Sequence, residues 1–347
     1  MLLLLLFITS RVVGAEVVRW GFVGSETLEA LDRAGRSETV AVSQRNASLA
    51  WAYAQRHGLR WYADARVLIR EVSAVYIATP AGSHLEYALV AASHRKPCVI
   101  DKPMARNANE SRAMIAAFGI SRTPLFVAYY RRSLPRYQRL RALVREEVGE
   151  VVRVRYFKKT KPVGRIDPKA SGGGLFLDVG SHALDLLDFV LGPLRDVRGT
   201  ASGPGRPEVE TAATMRFRVG PRGTGAAYWT FMNAGTDEDT LTIQGTKAHL
   251  VVPDFLDGTE IVLLRPSSRE DDDDDDYASS RRQQRFLDFP PNPVHAPFVD
   301  SVLDALETGD AGKCPSTTAS ALRTAFVVDA VLDRYWAGRD RTFWQKN

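Results

Sequence analysis

Five short apolar runs fill the first third of the chain, and stretches with helical spacing separate them. The apolar runs cover residues 17–24, 39–44, 73–80, 97–103 and 124–130. Their near-continuous apolarity is typical of strands covered on both faces, as in a parallel sheet. The helical patterns between them cover residues 27–34, 47–57, 84–93 and 109–118. This alternation predicts a doubly wound α/β sheet whose ligand lies at the carboxyl ends of the strands.

The pattern changes after residue 131. A helix at 137–147, a strand at 150–158 and a helix at 178–191 come first. Four alternating segments then follow without intervening helices, at 211–219, 225–232, 239–245 and 248–253. They are typical of an antiparallel meander with one packed face and one available face. Two helices near 297–307 and 316–335 close the chain.

These two halves predict two domains after a leader of residues 1–16. The first, residues 17–131, carries the doubly wound sheet, and the second, residues 132–347, is an α+β domain with a large, open, mainly antiparallel sheet. The leader has the apolar core of a secretory signal at residues 2–8 but lacks a basic start, and Arg11 interrupts it. We therefore expect a cytoplasmic protein, with secretion as the alternative if residues 1–15 are a signal peptide. The apolar segment is too short to span a bilayer, so no membrane span is expected.

Charge and cysteine content exclude several classes of protein. The formal charge is +5, the basic residues are scattered, and no zinc-finger or aromatic RNA-binding pattern accompanies them, so we expect no nucleic-acid partner. Two cysteines, Cys98 and Cys314, provide neither a disulfide framework nor a thiolate metal site. Residues 270–276 are seven consecutive carboxylates, and with Arg281, Arg282 and Arg285 they predict a solvated polar insertion.

Lys102 ends an apolar strand and precedes a proline, in the sequence IDKPMA. This is the edge at which an open α/β sheet presents groups to a ligand. A lysine there can donate to a substrate oxygen. It can equally be a strand-end lysine that extends into solvent. Position alone does not separate these two interpretations.

Asp178 and His182 are four residues apart at the start of a predicted helix, after three glycines at 172–174. That spacing puts both side chains on one helix face. A carboxylate beside an imidazole orients the ring and holds a tautomer suited to a general base. The alternative is a capping aspartate beside a buried helix histidine. No third ligand at helical spacing and no HExxH pattern is present, so we expect no metal site.

The order of five motifs resembles the Gfo/Idh/MocA oxidoreductases. The motifs are GFVG, YIATPAGSHLEYA, VIDKPMA, GGGLFLDVGSHALDLLDFVLG and IQGTKAHL. Members join a Rossmann domain to an α/β domain with an open antiparallel sheet, and they move a hydride between NAD(P) and a sugar, polyol or related alcohol. The resemblance implies this fold and reaction here, with a small sugar-like or polyol-like substrate. It also implies a homo-oligomer, either a dimer or a tetramer.

By the same resemblance, three residues carry the chemistry. The family's E-K-P lysine corresponds to Lys102, which also faces the cofactor, and Asp101 replaces the usual glutamate. The D-x-G-x-H motif corresponds to Asp178 and His182. The implied roles are that His182 removes the hydroxyl proton, Asp178 steadies His182, and Lys102 stabilises the developing oxyanion.

The resemblance also assigns residues to the cofactor. The T-P-x-x-x-H motif places Thr79, Pro80 and His84 at the cofactor edge. Ser43 and Arg45 follow the second strand, where the adenosine ribose lies in this family. An acidic residue at that point favours NAD, whereas a serine and an arginine suit a 2′-phosphate. We therefore expect NADP rather than NAD.

The phosphate-binding turn departs from the family pattern. Gly21 and Gly24 are present and are assigned to the cofactor, but Glu26 stands where a further glycine belongs. From Gly24 to Val40 the chain is also about five residues short of a usual first βαβ turn. Two explanations stay open. Either an error in the gene model removed residues from a working enzyme, or the chain is a non-catalytic Rossmann-type sensor or regulator.

Overall fold

The computed structural model describes residues 17–24, 30–33, 35–161, 167–203, 209–232, 235–266 and 281–336. Two sheets organise these residues. The strands of the first are β1 Val18–Gly24, β2 Ser37–Ser43, β3 Arg60–Trp61, β4 Ala74–Ala78, β5 Cys98–Ile100 and β6 Leu125–Val127. The helices between them are α1 Ala47–His57, α2 Ala65–Glu71, α3 His84–Ser93 and α4 Ala108–Ser121.

The second sheet follows the helix α5 Pro135–Glu146. Its strands are β7 Val151–Lys159, β8 Arg195–Ser202, β9 Ala212–Val219, β10 Gly223–Thr230, β11 Glu238–Gly245, β12 His249–Pro253, β13 Glu260–Pro266 and β14 Arg281–Leu287. The remaining helices are α6 Pro168–Ser171, α7 Ser181–Leu191, α8 Ala296–Thr308 and α9 Thr318–Trp336. No helix in the described ranges combines the length and apolarity needed to cross a membrane.

The first sheet is parallel throughout, in the order β3-β2-β1-β4-β5-β6. This confirms the predicted doubly wound sheet. The strand order reverses between β1 and β4, so a crevice opens there at the carboxyl ends. All five predicted strands are present, although most are shorter than the apolar runs. The sequence prediction missed β3 and α2, because a two-residue strand and a seven-residue helix give little periodic signal.

The predicted helix at 27–34 is wrong for the residues that the structure describes there. Residues 30–33 form a turn that a bridge between Arg33 and Ser37 closes, and the Ser37 hydroxyl donates to the Leu31 carbonyl at 2.6 Å. Residues 25–29, including Glu26, lie outside the described residues. Leu31 packs in one core with residues of α8 such as Phe298 and Val302. A helix from the end of the chain therefore covers this side of the first sheet.

Helix α1 illustrates how local sequence signals set the element boundaries. The Asn46 side chain accepts a hydrogen bond from the Leu49 amide at 3.1 Å, and Gly58 ends the helix in the left-handed conformation. A side-chain N-cap and a left-handed glycine at the C-terminus are the usual ways in which a helix begins and ends. They place the end of β2 and the start of α1 at a fixed position beside the crevice.

The second sheet has the order β14-β13-β12-β11-β7-β10-β9-β8. It is mainly antiparallel, as predicted, but it is not a continuous meander, because β7 lies between β10 and β11 and runs parallel to β10. One side packs on α7 and α9 through residues such as Tyr156, Trp229 and Ile243. The other side, which we call the open face, carries the exposed side chains of Arg155 and Arg216. The sequence predicted one packed and one available face.

A buried ion-pair network connects the residues that follow β6 with helices α7 and α9. Arg132 follows β6 and donates from Nε to Asp185 at 2.8 Å and from Nη2 to Asp188 at 3.1 Å. Arg323 on α9 also pairs with Asp188, at 2.7 Å. Arg132, Asp185 and Asp188 are almost completely buried, so each charge depends on its partner. The network holds α7 against the end of the first sheet, which positions the start of α7 at the crevice.

Candidate active site

A cavity of about 930 Å³ lies at the carboxyl ends of β1, β2 and β4, beside the point at which the strand order reverses. Ligands of open α/β sheets bind at this point. Five of the residues that the sequence assigned to the cofactor line the cavity. They are Gly24, Ser43, Arg45, Thr79 and Pro80.

Gly24 is a position that only glycine fits. Its φ is +146°, and a Cβ there would collide with the carbonyl oxygen of Ala78 on the neighbouring strand. The close approach leaves backbone, rather than a side chain, at the bottom of the crevice. The first glycine of a dinucleotide-binding turn is the one that permits the tight turn at the end of the first strand, which is the position of Gly24.

We predict that Gly24→Ala weakens NADPH binding by about tenfold or more, because β1 and β4 must separate to admit the methyl group. Fluorescence titration of the purified variant measures this change. Gly220→Ala is the matched control, since Gly220 also has a positive φ but its Cβ would lie in open space. Equal affinity for NADPH in Gly24→Ala and the wild type would remove Gly24 from the cofactor site.

The structure does not bring Gly21 to the cavity. Gly21 lies inside β1, where a Cβ would collide with Leu68 and Val72 of the α2 segment. Its missing side chain therefore lets α2 pack closely on the sheet. The sequence assigned Gly21 to the cofactor, and the structure places it in the packing of the domain.

His84 also lies away from the cavity wall, although it touches a residue that lines it. Its Nε2 is 2.6 Å from the carbonyl oxygen of Thr79, and its Nδ1 is 3.2 Å from that of Met104. The ring is buried, and this burial lowers the pKa of His84 below its usual value. His84 thus ties the loop after β4 to the loop after Lys102. This placement makes it a positioning residue for Thr79.

Lys102 and Asp178 meet across the two domains. Lys102 follows β5, and its ammonium group pairs with the Asp178 carboxylate. The Lys102 side chain is 19% exposed and that of Asp178 is 52% exposed, so the ion pair is half-buried and partly open to solvent. The ion pair therefore joins the end of the first sheet to the start of the segment that leads into α7.

The predicted contact between Asp178 and His182 is wrong. Asp178 lies in a π-helical turn, Phe176–Gly180, and His182 lies in α7, which begins directly after it. In the described part of the chain no hydrogen bond joins the two side chains. The Asp178 carboxylate is engaged by the Lys102 ammonium group of the other domain. Asp178 turns toward Lys102 instead.

Glu210 anchors the segment that carries Asp178. Its buried carboxylate accepts hydrogen bonds from the Gly174 amide at 3.0 Å, the Phe176 amide at 3.2 Å and the Trp336 indole at 3.2 Å. These bonds fix Gly174, at the end of the glycine loop, and Phe176, the first residue of the π-helical turn. Glu210 gave no signal in the sequence, because it lies outside the predicted elements and far along the chain.

His182 is buried beneath two tyrosine rings. The ring centroids of Tyr129 and Tyr130 are 6.2 and 6.1 Å from that of His182, each edge-on. Burial lowers the pKa of His182 well below its ordinary value of 6.5, and the positive charges of Arg131 and Lys102 lower it further. His182 is therefore neutral at physiological pH.

Sequence reasoning missed Tyr130, Arg131 and His295 beside this histidine. The Tyr130 ring lies 4.0 Å from the His295 ring, and Arg131 lies over the Tyr130 ring at 4.9 Å while donating to the Leu256 carbonyl at 2.9 Å. Tyr130 and Arg131 follow β6, so the carboxyl-edge rule applied to that strand would have found them. His295 precedes α8 and has no such signal.

Comparison with known proteins matches two family models. Residues 13–129 match the model described as "Oxidoreductase family, NAD-binding Rossmann fold", and residues 137–251 match the Gfo/Idh/MocA C-terminal domain. An oxidoreductase of Formosa agariphila is 31% identical over 254 residues, which cover 67% of this chain and 78% of that protein. A trans-1,2-dihydrobenzene-1,2-diol dehydrogenase of Bos taurus is 29% identical over 259 residues, 71% of this chain and 76% of that protein.

Solved structures share the fold at low sequence identity. A levoglucosan dehydrogenase in complex with NADH has a TM-score of 0.78 and 20% identity, over 92% of this chain and 96% of that chain. A biliverdin reductase from Synechocystis in complex with biliverdin and NADP+ has a TM-score of 0.74 and 18% identity, over 90% and 97% of the two chains. With the two family models and the Formosa relative, these findings place the chain in the Gfo/Idh/MocA family of NAD-binding oxidoreductases.

Proposed function

We propose that the chain is an NADP-dependent dehydrogenase that oxidises a CH–OH group of a sugar or polyol. The observation that carries the proposal is the ion pair of Lys102 with Asp178, beside a neutral His182, at the carboxyl edge of a dinucleotide-binding sheet. The names of the relatives support the substrate class, since they include a diol dehydrogenase and a levoglucosan dehydrogenase.

The cavity at the ends of β1, β2 and β4 fits a dinucleotide. Backbone lines its floor at Gly24, and Thr79 and Pro80 form one wall. At the end of β2, Ser43 is buried and Arg45 is exposed, and Arg45 has no ion-pair partner among the described residues. A guanidinium at this position complements a 2′-phosphate, which supports NADP over NAD.

We predict that Arg45→Ala raises the Kd for NADPH about ten- to a hundredfold, because it removes a charge-assisted hydrogen bond to the phosphate. The Kd for NADH should not change. Fluorescence titration with both nucleotides measures the two affinities, and Arg56→Ala on the exposed side of α1 is the control. Equal losses for NADPH and NADH would contradict the assignment of Arg45 to the 2′-phosphate.

The chemistry divides among three side chains. NADP, when bound, supplies the hydride acceptor. His182 accepts the proton of the substrate hydroxyl, and its lowered pKa keeps the imidazole in the neutral form that this role requires. Lys102 donates a hydrogen bond to the same oxygen and stabilises the negative charge that develops there. Asp178 holds the Lys102 ammonium in place through their ion pair, a different role from the one implied by the family motif.

The pH dependence of alcohol oxidation should report the protonation state of His182. Only its neutral form accepts a proton, and its lowered pKa keeps it neutral at pH values below 6.5. We therefore predict that kcat/KM stays level as the pH falls through 6.5 and declines only in more acidic buffer. Initial rates across the acidic range, with circular dichroism as a check on folding, measure this profile. A halving of kcat/KM near pH 6.5 would show that His182 titrates normally.

We also propose that the protein is cytoplasmic and that it assembles as a homodimer or a homotetramer. Both cysteines are free and buried, which is consistent with a reducing compartment. The open face of the second sheet supplies a surface for association. Sedimentation analysis of the purified chain tests the assembly.

Titration with NADPH tests the function itself. The dehydrogenase proposal predicts saturable binding at micromolar cofactor, as is usual for such enzymes. An absence of binding at about a thousandfold higher concentration would contradict it and favour a non-catalytic sensor.

A further inference from the structure

A proton that His182 accepts from a substrate has little direct access to solvent. His182 is 8% exposed and lies beneath the rings of Tyr129 and Tyr130. Within the described ranges, neither nitrogen of its ring forms a hydrogen bond with another protein group. Bound substrate and cofactor reduce the remaining contact with water, because a closed active site excludes water. Release of the proton during turnover therefore requires a neighbouring group that can take it.

Three charged or titratable groups among the described residues act on His182. They are Arg131, Lys102 and His295. Arg131 and Lys102 are cations with no free lone pair, so neither can accept a proton. His295 is an imidazole, and its burial together with the charge of Arg131 lowers its pKa to about 4. His295 is therefore neutral at physiological pH, and it is the one group of the three that can accept a proton.

The Tyr130 ring contacts both histidines. Its centroid is 6.1 Å from that of His182, edge-on, and 4.0 Å from that of His295. The Arg131 guanidinium lies over the same ring at 4.9 Å, which restricts its movement. In the described part of the chain no hydrogen bond engages the Tyr130 hydroxyl. A phenol oxygen both accepts and donates, so it can pass a proton from one histidine to the other.

His295 has a buried ring nitrogen beside a small cavity. Its Nδ1 is buried without a hydrogen-bond partner among the described residues, although the residue as a whole is only half-buried. The cavity, of about 40 Å³, lies between α8 and the carboxyl ends of β4 and β5, and Asp101 and His295 line it. One water molecule needs about 10–15 Å³ of such a volume, so water fits there. That water can bind the imidazole and carry a proton away from it.

We propose that Tyr130 and His295 relay the proton from His182 to water. The inference rests on the proposed dehydrogenase function and adds a step after hydride transfer. When the alcohol is oxidised, a hydride leaves its carbon for NADP and the hydroxyl proton moves to His182. The Tyr130 oxygen then accepts this proton and releases its own toward His295, directly or through one water molecule. His295 passes a proton to water, so each relay group returns to its starting state.

The surrounding charges favour movement in this direction. The positive charges of Lys102 and Arg131 destabilise the protonated form of His182, and that of Arg131 does the same at His295. At neutral pH neither histidine therefore retains the proton. A proton that reaches His295 continues to water.

A stopped-flow single turnover separates the relay from hydride transfer. The probes are levoglucosan and trans-1,2-dihydrobenzene-1,2-diol, which occur in the names of two relatives, each mixed with NADP+ and an excess of protein. NADPH absorbance reports the hydride, and a pH indicator in dilute buffer reports the released proton. In the wild type both signals should rise together. In His295→Phe the proton should appear at least about tenfold more slowly than NADPH, while NADPH formation changes by less than about threefold.

Tyr130→Phe provides a second variant, because it keeps the ring and removes only the hydroxyl. It should show the same delay of the proton relative to NADPH. His57→Phe on the exposed side of α1 is the control, and in this variant both signals should rise together as in the wild type.

Two results would overturn the relay. One is a proton signal that coincides with NADPH formation in either relay variant. The other is an equal slowing of both signals, which indicates a structural role for the altered residue. A wild type that neither binds NADPH nor forms it from either alcohol is a different failure, because it would overturn the proposed function and the relay together.

Discussion

Lys102→Ala should lower kcat for hydride transfer about a thousandfold, equivalent to about 4 kcal/mol of transition-state stabilisation. Lys102 is the only one of the three proposed catalytic side chains with a positive charge, and its ammonium group pairs with Asp178. Without it, the negative charge that develops on the substrate oxygen has no cationic partner among these three. Its removal also leaves the Asp178 carboxylate facing the substrate, which adds repulsion.

The affinity for NADPH should change by less than about threefold in Lys102→Ala, because the cavity at β1, β2 and β4 does not include this residue. Steady-state rates and a nucleotide titration on the same preparation measure both quantities. Lys313→Ala, which removes an exposed lysine in a surface turn, is the control. Asp178→Asn should show a smaller loss of kcat, because it acts through Lys102. A Lys102→Ala enzyme with wild-type kcat would remove Lys102 from the mechanism.

His182→Gln should lower kcat by about a hundred- to ten-thousandfold, the usual contribution of a positioned general base. Glutamine retains much of the volume of the ring beneath Tyr129 and Tyr130, so the packing changes little. The amide cannot accept the hydroxyl proton at any accessible pH. The kcat/KM of His182→Gln should therefore not decline in acidic buffer, unlike that of the wild type.

Initial rates over the acidic and neutral range measure both effects on His182→Gln. Thermal melting followed by circular dichroism checks that the fold is intact, and His57→Gln on α1 is the matched control. An unchanged pH profile would assign the acidic decline to another group. The nearest candidate is His295, whose pKa burial lowers to about 4.

Most of the first domain follows from local sequence signals, because its strands and helices other than β3 and α2 each have a recognisable pattern. Continuous apolar runs match buried parallel strands, and the Asn46 cap sets the start of α1 at the predicted residue. The carboxyl-edge rule then brings Ser43, Arg45 and Thr79 to one cavity without further information. For these residues, their position directly after a predicted strand is enough to predict that they lie at the same cavity.

The remaining features depend on long-range packing. The insertion of β7 between β10 and β11 depends on pairing across about eighty residues, and alternation alone does not specify a partner. The contact of Asp178 with Lys102 depends on a π-helical turn that Glu210 holds from a distant loop. The turn at residues 30–33 depends on α8, from the far end of the chain.

A crystal structure of the protein grown with NADPH would show directly whether the nucleotide binds at the proposed dehydrogenase site. We expect the 2′-phosphate at Arg45, the pyrophosphate over Gly24, and the nicotinamide ring beside Lys102 and His182. A nucleotide bound elsewhere, or a nicotinamide ring distant from both side chains, would contradict the proposed dehydrogenase site.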